Sequence, residues 1–184
     1  MVFIVGQAVD MTNTREEFSA VDAKSLANFL LDMAQVLNIL VSNMKLQKLV
    51  YFCHADFLVQ TGRPLITQNF EAWDHGPVIP CLYQEFKVFG ADPILGRAYK
   101  FDPIGCTRVI ANDCNLGVFE DLVIRSFEVY SRYSASALSS LSHKQNGPWS
   151  AALVRFENGT HRGKCIENEL IALHHFHPNE RSVH

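Results

Sequence analysis

The chain has 184 residues, 48% of them hydrophobic, with thirteen phenylalanines and a formal charge of −3. That length suits one domain, able to bury about 70% of the surface its unfolded chain exposes. The negative balance leaves no general attraction for nucleic acid, no apolar run is long enough to span a membrane, and five scattered cysteines argue against a secreted disulfide framework. A cytoplasmic protein with reduced thiols is expected.

Residues 1–18 have no sustained period and read as a mobile leader or a strand donated to the surface, with the leader region taken as 1–20. The opening Met1-Val2-Phe3-Ile4-Val5 is too short, and lacks the basic start, for a signal peptide. From about Asp22, the residues Leu26, Phe29, Leu30, Met33, Leu37 and Leu40 share one helical face, with Ser19 and Asp22 resembling a capping box. Ser42 is placed to cap a second helix, whose apolar positions are Leu46, Leu49, Val50, Cys53 and Phe57. Gly62 and Arg63-Pro64 stop it.

The next stretch is extended. Phe70-Glu71-Ala72-Trp73 predicts a short strand, paired with a segment near Tyr99–Phe101 or Thr107–Ile110. A rigid turn follows, because Gly76 opens backbone space closed to other residues and Pro77 fixes the exit. Pro80 opens a third helix bearing Leu82, Tyr83, Phe86 and Phe89, and Gly90 closes it. Residues 91–116, with Pro93, Gly96, Pro103 and Gly105, read as an irregular connection.

Periodicity returns near Gly117, with Val118, Leu122, Phe127 and Tyr130 inward. Ser134 caps a short helix containing Leu138 and Leu141, and Gly147-Pro148-Trp149 breaks it and opens another through Leu153 and Phe156. Asn158-Gly159 turns the chain into a last helix, from Ile166 to Phe176, with Ile171 and Leu173 inward; 177–184 form a tail. The expected fold is mainly α: a single compact helical domain over 21–176, with room for one small β-sheet.

Few residues suggest chemistry. Cys53 and His54 are neighbours, but adjacent helical side chains point about 100° apart and do not face each other. A small hydrolase using Cys53, Cys81 or a histidine is nevertheless an alternative from a different class. His174, His175, His177 and His184 are spaced unlike a closed zinc site, and no phosphate-binding loop occurs, so no metal or cofactor is expected.

The turn Trp73-Asp74-His75-Gly76-Pro77 reads in two ways. Trp73 plugs the core, or Trp73, Asp74 and His75 form a preorganised surface for another protein. Lys45 and Lys48, beside Tyr51 and Phe52, are either a solvated edge or a charged rim steering an acidic partner. His143 is placed to bond the last carbonyls of its helix, and Trp149 after Pro148 reads as a core anchor.

Several of these pieces fall in one order: Lys45-Leu46-x-Lys48-Leu49-x-Tyr51, Gly62-x-Pro64-Leu65, Glu71-Ala72-Trp73-x-x-Gly76-Pro77-Val78-x-Pro80, Tyr130-x-x-Tyr133-Ser134-Ala135, and Leu141-Ser142-His143 followed by Gly147-Pro148-Trp149. In that order they resemble the Panacea, or SocA-like, antitoxin domain family over roughly 21–176. The resemblance implies a mainly helical fold and an antitoxin, of the kind encoded beside varied toxins and often on prophages, that neutralises a cognate protein toxin by binding it. It also implies, from one SocA-like member, a second role as an adaptor that presents the toxin to a cytosolic protease. A phage-associated accessory protein with a different protein partner is the nearest alternative within the same fold.

Overall fold

Helix α2, Asn43–Thr61, is the axis of the protein in a computed structural model that describes residues 18–158 and 164–175. Every residue of α2 from Leu46 to Leu58 is buried, and a helix with no exposed face has to be enclosed on all sides. The enclosure is made by α1 (Ala23–Val36), α3 (Pro80–Phe86), α4 (Glu120–Tyr130), α5 (Ala135–Ser142) and α7 (Asn168–His174), together with strand β2 (Gly76–Val78). Phe57 of α2 and Phe70, Phe86 and Phe127 around it are each almost completely buried, a transfer worth about 2–3 kcal/mol per side chain. The fold is mainly α with a small β component.

Local chemistry sets the helix ends. Ser42 Oγ accepts the Lys45 N–H at 3.4 Å, and Gly62, in the left-handed region at φ 68°, caps the far end of α2 through its N–H to Leu58 O. Helix α1 is capped by Asp22, whose Oδ1 accepts the Lys24 N–H at 2.8 Å, so Ser19 is not its cap. It stops at Val36, short of the apolar face read out to Leu40. Asn38 turns left-handed (φ 55°) while its N–H bonds Gln35 O and the Ile39 N–H bonds Ala34 O, the paired bonds of a Schellman stop. Leu37 and Leu40 consequently lie outside the helix and are exposed.

The strand at Phe70–Trp73 (β1) forms, but its partners differ from those expected. It pairs antiparallel with β2 on one side and with β5 (Cys165–Ile166) on the other. The two segments proposed as its partners, β3 (Tyr99–Asp102) and β4 (Thr107–Ile110), pair with each other as a separate hairpin within the supposedly irregular connection. Buried Asn28 of α1 anchors that hairpin's base: its amide N–H groups donate to Ala98 O and Ala111 O, and its oxygen accepts the Ala98 N–H.

Val118 was read as inward but is 71% exposed, because it sits in a 3₁₀ turn (Gly117–Phe119) that precedes α4 and is out of phase with it. Helix α6 runs Pro148–Glu157 with Phe156 exposed. The last helix begins at Asn168, two residues after the strand that takes Ile166; Leu170 and Ile171 are its buried pair, and Leu173 faces out. Most of the proposed leader, Gly159 of the proposed turn, Phe176 and the tail lie outside the described residues.

The core also contains polar side chains of α2, joined across helices. Asp56 accepts from Ser126 Oγ at 2.8 Å, Tyr130 OH at 3.2 Å and His175 Nε2 at 2.7 Å. Gln47 Oε1 accepts the Ile79 N–H at 2.9 Å, and Asn43 Nδ2 donates to Tyr83 O at 3.1 Å. These bonds fix how α2 is rotated relative to its shell, since each buried polar group is costly unless matched.

Candidate functional site

Strands β1 and β2 are joined by a two-residue turn, Asp74-His75, with Trp73 opposite Gly76 and Ala72 opposite Pro77. Such a tight turn normally leaves its carbonyls to water. Here both of them, and the carbonyls of Trp73 and Pro77 in the flanking strands, are held by side chains from the surrounding helices. Trp149 Nε1 of α6 donates to Trp73 O at 2.9 Å, His143 Nε2 at the end of α5 meets Asp74 O at 3.1 Å, and Ser139 Oγ of α5 donates to His75 O at 3.0 Å. From the other side, Lys48 Nζ of α2 donates to Pro77 O at 2.8 Å.

His143 serves two elements, since its Nδ1 also meets Ser139 O at 2.6 Å, closing the last turn of its own helix. Both acceptors are carbonyl oxygens, so both bonds form together only on the doubly protonated ring. Its ring lies 4.0 Å from that of Trp149. Gly76 has φ 97°, and a Cβ there would sit 2.9 Å from Lys48 Nζ and collide with Ser142 Oγ. Glycine is thus required twice over, by backbone conformation and by the close approach of α2 and α5. Pro148 is the buried first residue of α6, where its missing N–H costs nothing.

Beside this turn opens a cleft of about 530 Å³, walled by Lys48, Trp73, Asp74 and His75 together with Met44, Tyr83, Lys87 and Lys164. Trp73 is half-buried; its indole N–H donates to Glu71 Oε2 at 2.8 Å and its ring meets Tyr83 edge-on at 5.1 Å. It therefore neither plugs the core nor stands free. Asp74 and His75 are exposed at the tip. Four of the residues singled out in sequence converge here.

The other two do not. Tyr51 is buried, packed edge-on to Phe52 and Phe70, and offers no surface. Lys45 Nζ donates to Ser131 O at 2.9 Å, away from the cleft, with its pKa lowered by burial. Lys48 is not a solvated edge: it is 1% exposed, and burial pushes its pKa down to about 7. The shared-face reading fails because α2 is enclosed, so helical spacing did not mark an outside. Tyr83, Lys87 and Lys164 were missed as wall residues; they come from α3, its 3₁₀ extension and the lead-in to β5, and no local pattern links them.

Cys53 and His54 do not form a nucleophile–base pair among the described residues. His54 bonds Asn168 Oδ1 at 2.9 Å rather than Cys53, and burial lowers its pKa to about 4. Burial, then the nearby Asp56, pushes the Cys53 thiol well up, and burial also raises Cys81. A thiol so disposed is a poor nucleophile at neutral pH. His175 is engaged by Asp56, no cluster able to hold a metal occurs among the described residues, and His177 and His184 lie outside them.

A family model described as "Antitoxin SocA-like, Panacea domain" matches residues 46–150. That span runs from α2 into α6 and includes the turn and all four side chains that hold it. Antitoxin SocA of Caulobacter vibrioides (strain NA1000 / CB15N) is 42% identical over 130 residues, covering 71% of this chain and 69% of that protein. No solved structure matches the chain.

Proposed function

The chain belongs to the SocA-like, Panacea-domain family, and from that membership we propose that it is an antitoxin that neutralises a protein toxin by direct binding. The observation that supports binding over chemistry is the turn itself. A two-residue tip, Asp74-His75, is exposed while four carbonyls around it are held from behind. A segment ordered before it meets a partner loses little further entropy on docking. The tip, Trp73 and the cleft wall form the proposed contact face, and occlusion of the toxin's working surface is the mechanism.

Co-expression with the product of the adjacent open reading frame, as the toxin candidate, tests the reading. The toxin alone arrests growth and the wild-type chain restores it, with the two proteins co-purifying. His75→Ala weakens rescue and leaves the far-UV circular dichroism and melting temperature unchanged, because His75 is exposed and lends only its backbone to the fold. Toxin abundance separates two routes: undiminished toxin in rescued cells marks occlusion, and loss of toxin dependent on a cytosolic protease marks delivery for degradation. Full rescue by His75→Ala and Trp73→Ala alike moves the contact face elsewhere.

A further inference from the structure

The cleft has a charge that the rest of the chain does not. Two exposed lysines, Lys87 and Lys164, wall it against one carboxylate, Asp74, with the buried Lys48 at its back, in a chain whose overall charge is −3. Lys87 is exposed, and its side-chain ammonium makes no hydrogen bond or ion pair among the described residues. Lys164 Nζ lies over the Phe156 ring at 5.6 Å. Lys48 is buried behind the turn, where it donates to Pro77 O, and so backs the cleft without facing its opening. The wall beside them is aromatic, with Trp73 and Tyr83 in edge contact.

We propose that this cleft seats an acidic side chain of the partner protein, an aspartate or glutamate whose carboxylate is met by Lys87 and Lys164 and whose apolar neighbour lies against Trp73 and Tyr83. The proposal rests on the protein-binding reading above and names the chemistry of the partner at that face. Charge complementarity selects the occupant. A carboxylate supplies acceptors to lysine donors that lack them, and bonds between ionised partners are about twice as strong as neutral ones. A nucleic-acid backbone would need a longer basic stripe, and the flanking Asp74 and the negative chain oppose one. Burial has already lowered Lys48 to about 7, so an arriving negative charge also strengthens its hold on its proton.

The test is a titration of the isotope-labelled full chain, followed by amide and indole N–H resonances, with the peptide acetyl-Gly-Asp-Phe-Gly-amide. The matched peptide with asparagine and inorganic phosphate are the comparisons. The aspartyl peptide is expected to shift the Trp73 indole and the cleft amides with affinity about tenfold above the asparaginyl peptide, the worth of one charge-assisted bond. That preference disappears in the double variant Lys87→Glu, Lys164→Glu, whose exposed positions leave the remaining resonances in place. Equal response to the two peptides, or the same shifts from phosphate alone, overturns the proposal. Full toxin rescue by the double variant overturns the acidic seat and leaves the antitoxin reading standing. Acid-selective binding by a chain that rescues no toxin does the reverse.

Discussion

Trp149 donates its indole N–H to the carbonyl of Trp73, 76 residues earlier, and so ties the first turn of α6 to the edge of the β1–β2 turn. Each tryptophan has a different task. Trp149 holds the backbone of the turn, while Trp73 lays its ring along the cleft and sends its own N–H to Glu71. Trp149→Phe keeps an aromatic ring against His143 and removes the donor together with the second ring of the indole. The expected loss is about 1 kcal/mol in urea unfolding. Amide exchange near Asp74 and His75 should rise more than exchange in α2.

Gly76→Ala should be far more costly than an ordinary surface change. It places a side chain at φ 97° and drives a Cβ toward Ser142 Oγ and Lys48 Nζ. Strain at such a backbone position alone costs on the order of 1–3 kcal/mol, and the collision adds to it. A melting temperature within a degree of wild type would show that the turn is not held as described.

His54 predicts a loss of stability in acid. Its folded pKa is about 4, lowered mainly by burial, against an ordinary 6.5, and its Nδ1 is buried with no hydrogen-bond partner among the described residues. Between these values the unfolded chain binds a proton that the folded chain refuses, so stability falls as pH drops from 6.5 toward 4. The contribution is on the order of 2–3 kcal/mol. Comparing urea midpoints of wild type and His54→Phe across that window isolates it, and the gap between the two should move in favour of the variant as pH falls.

Lys48 predicts the opposite end of the scale. Its folded pKa of about 7 lies below the ordinary 10.5, so the unfolded chain holds the extra proton between them. Stability from this group therefore rises with pH through that window, and below 7 the full cost of a buried ammonium is present. Lys48→Met removes that dependence along with the bond to Pro77. Its stability relative to wild type should be most favourable at pH 6 and decline steadily toward pH 10. A difference independent of pH would mean that Lys48 titrates normally in the folded protein.

The tally of helices was legible from residues alone because each rule involved is local. Ser42, Ser134 and Gly62 cap the helices they were read to cap, and Pro80 and Pro148 open theirs, since a cap acts within one turn of the chain. The segment order that marks the family was legible for the same reason. What failed was everything that depends on a distant neighbour. The strand at Phe70–Trp73 was visible, yet its partner at Cys165–Ile166 lies in a segment with no strand signal of its own. Lys48 and Tyr51 were read as surface because polar groups on a helix usually face water, and only the shell closing around α2 reverses that.

The sequence by itself thus determined a mainly helical chain, the caps at Ser42, Gly62 and Ser134, and the glycine–proline turn after Trp73, because propensity and capping are decided within a few residues. Only the tertiary structure decided that Lys48 is buried, that Trp149, His143 and Ser139 hold three successive carbonyls, and that Tyr83, Lys87 and Lys164 share a wall with Trp73. Those relations join groups dozens of residues apart, and their energies exist only once the loops between them have closed.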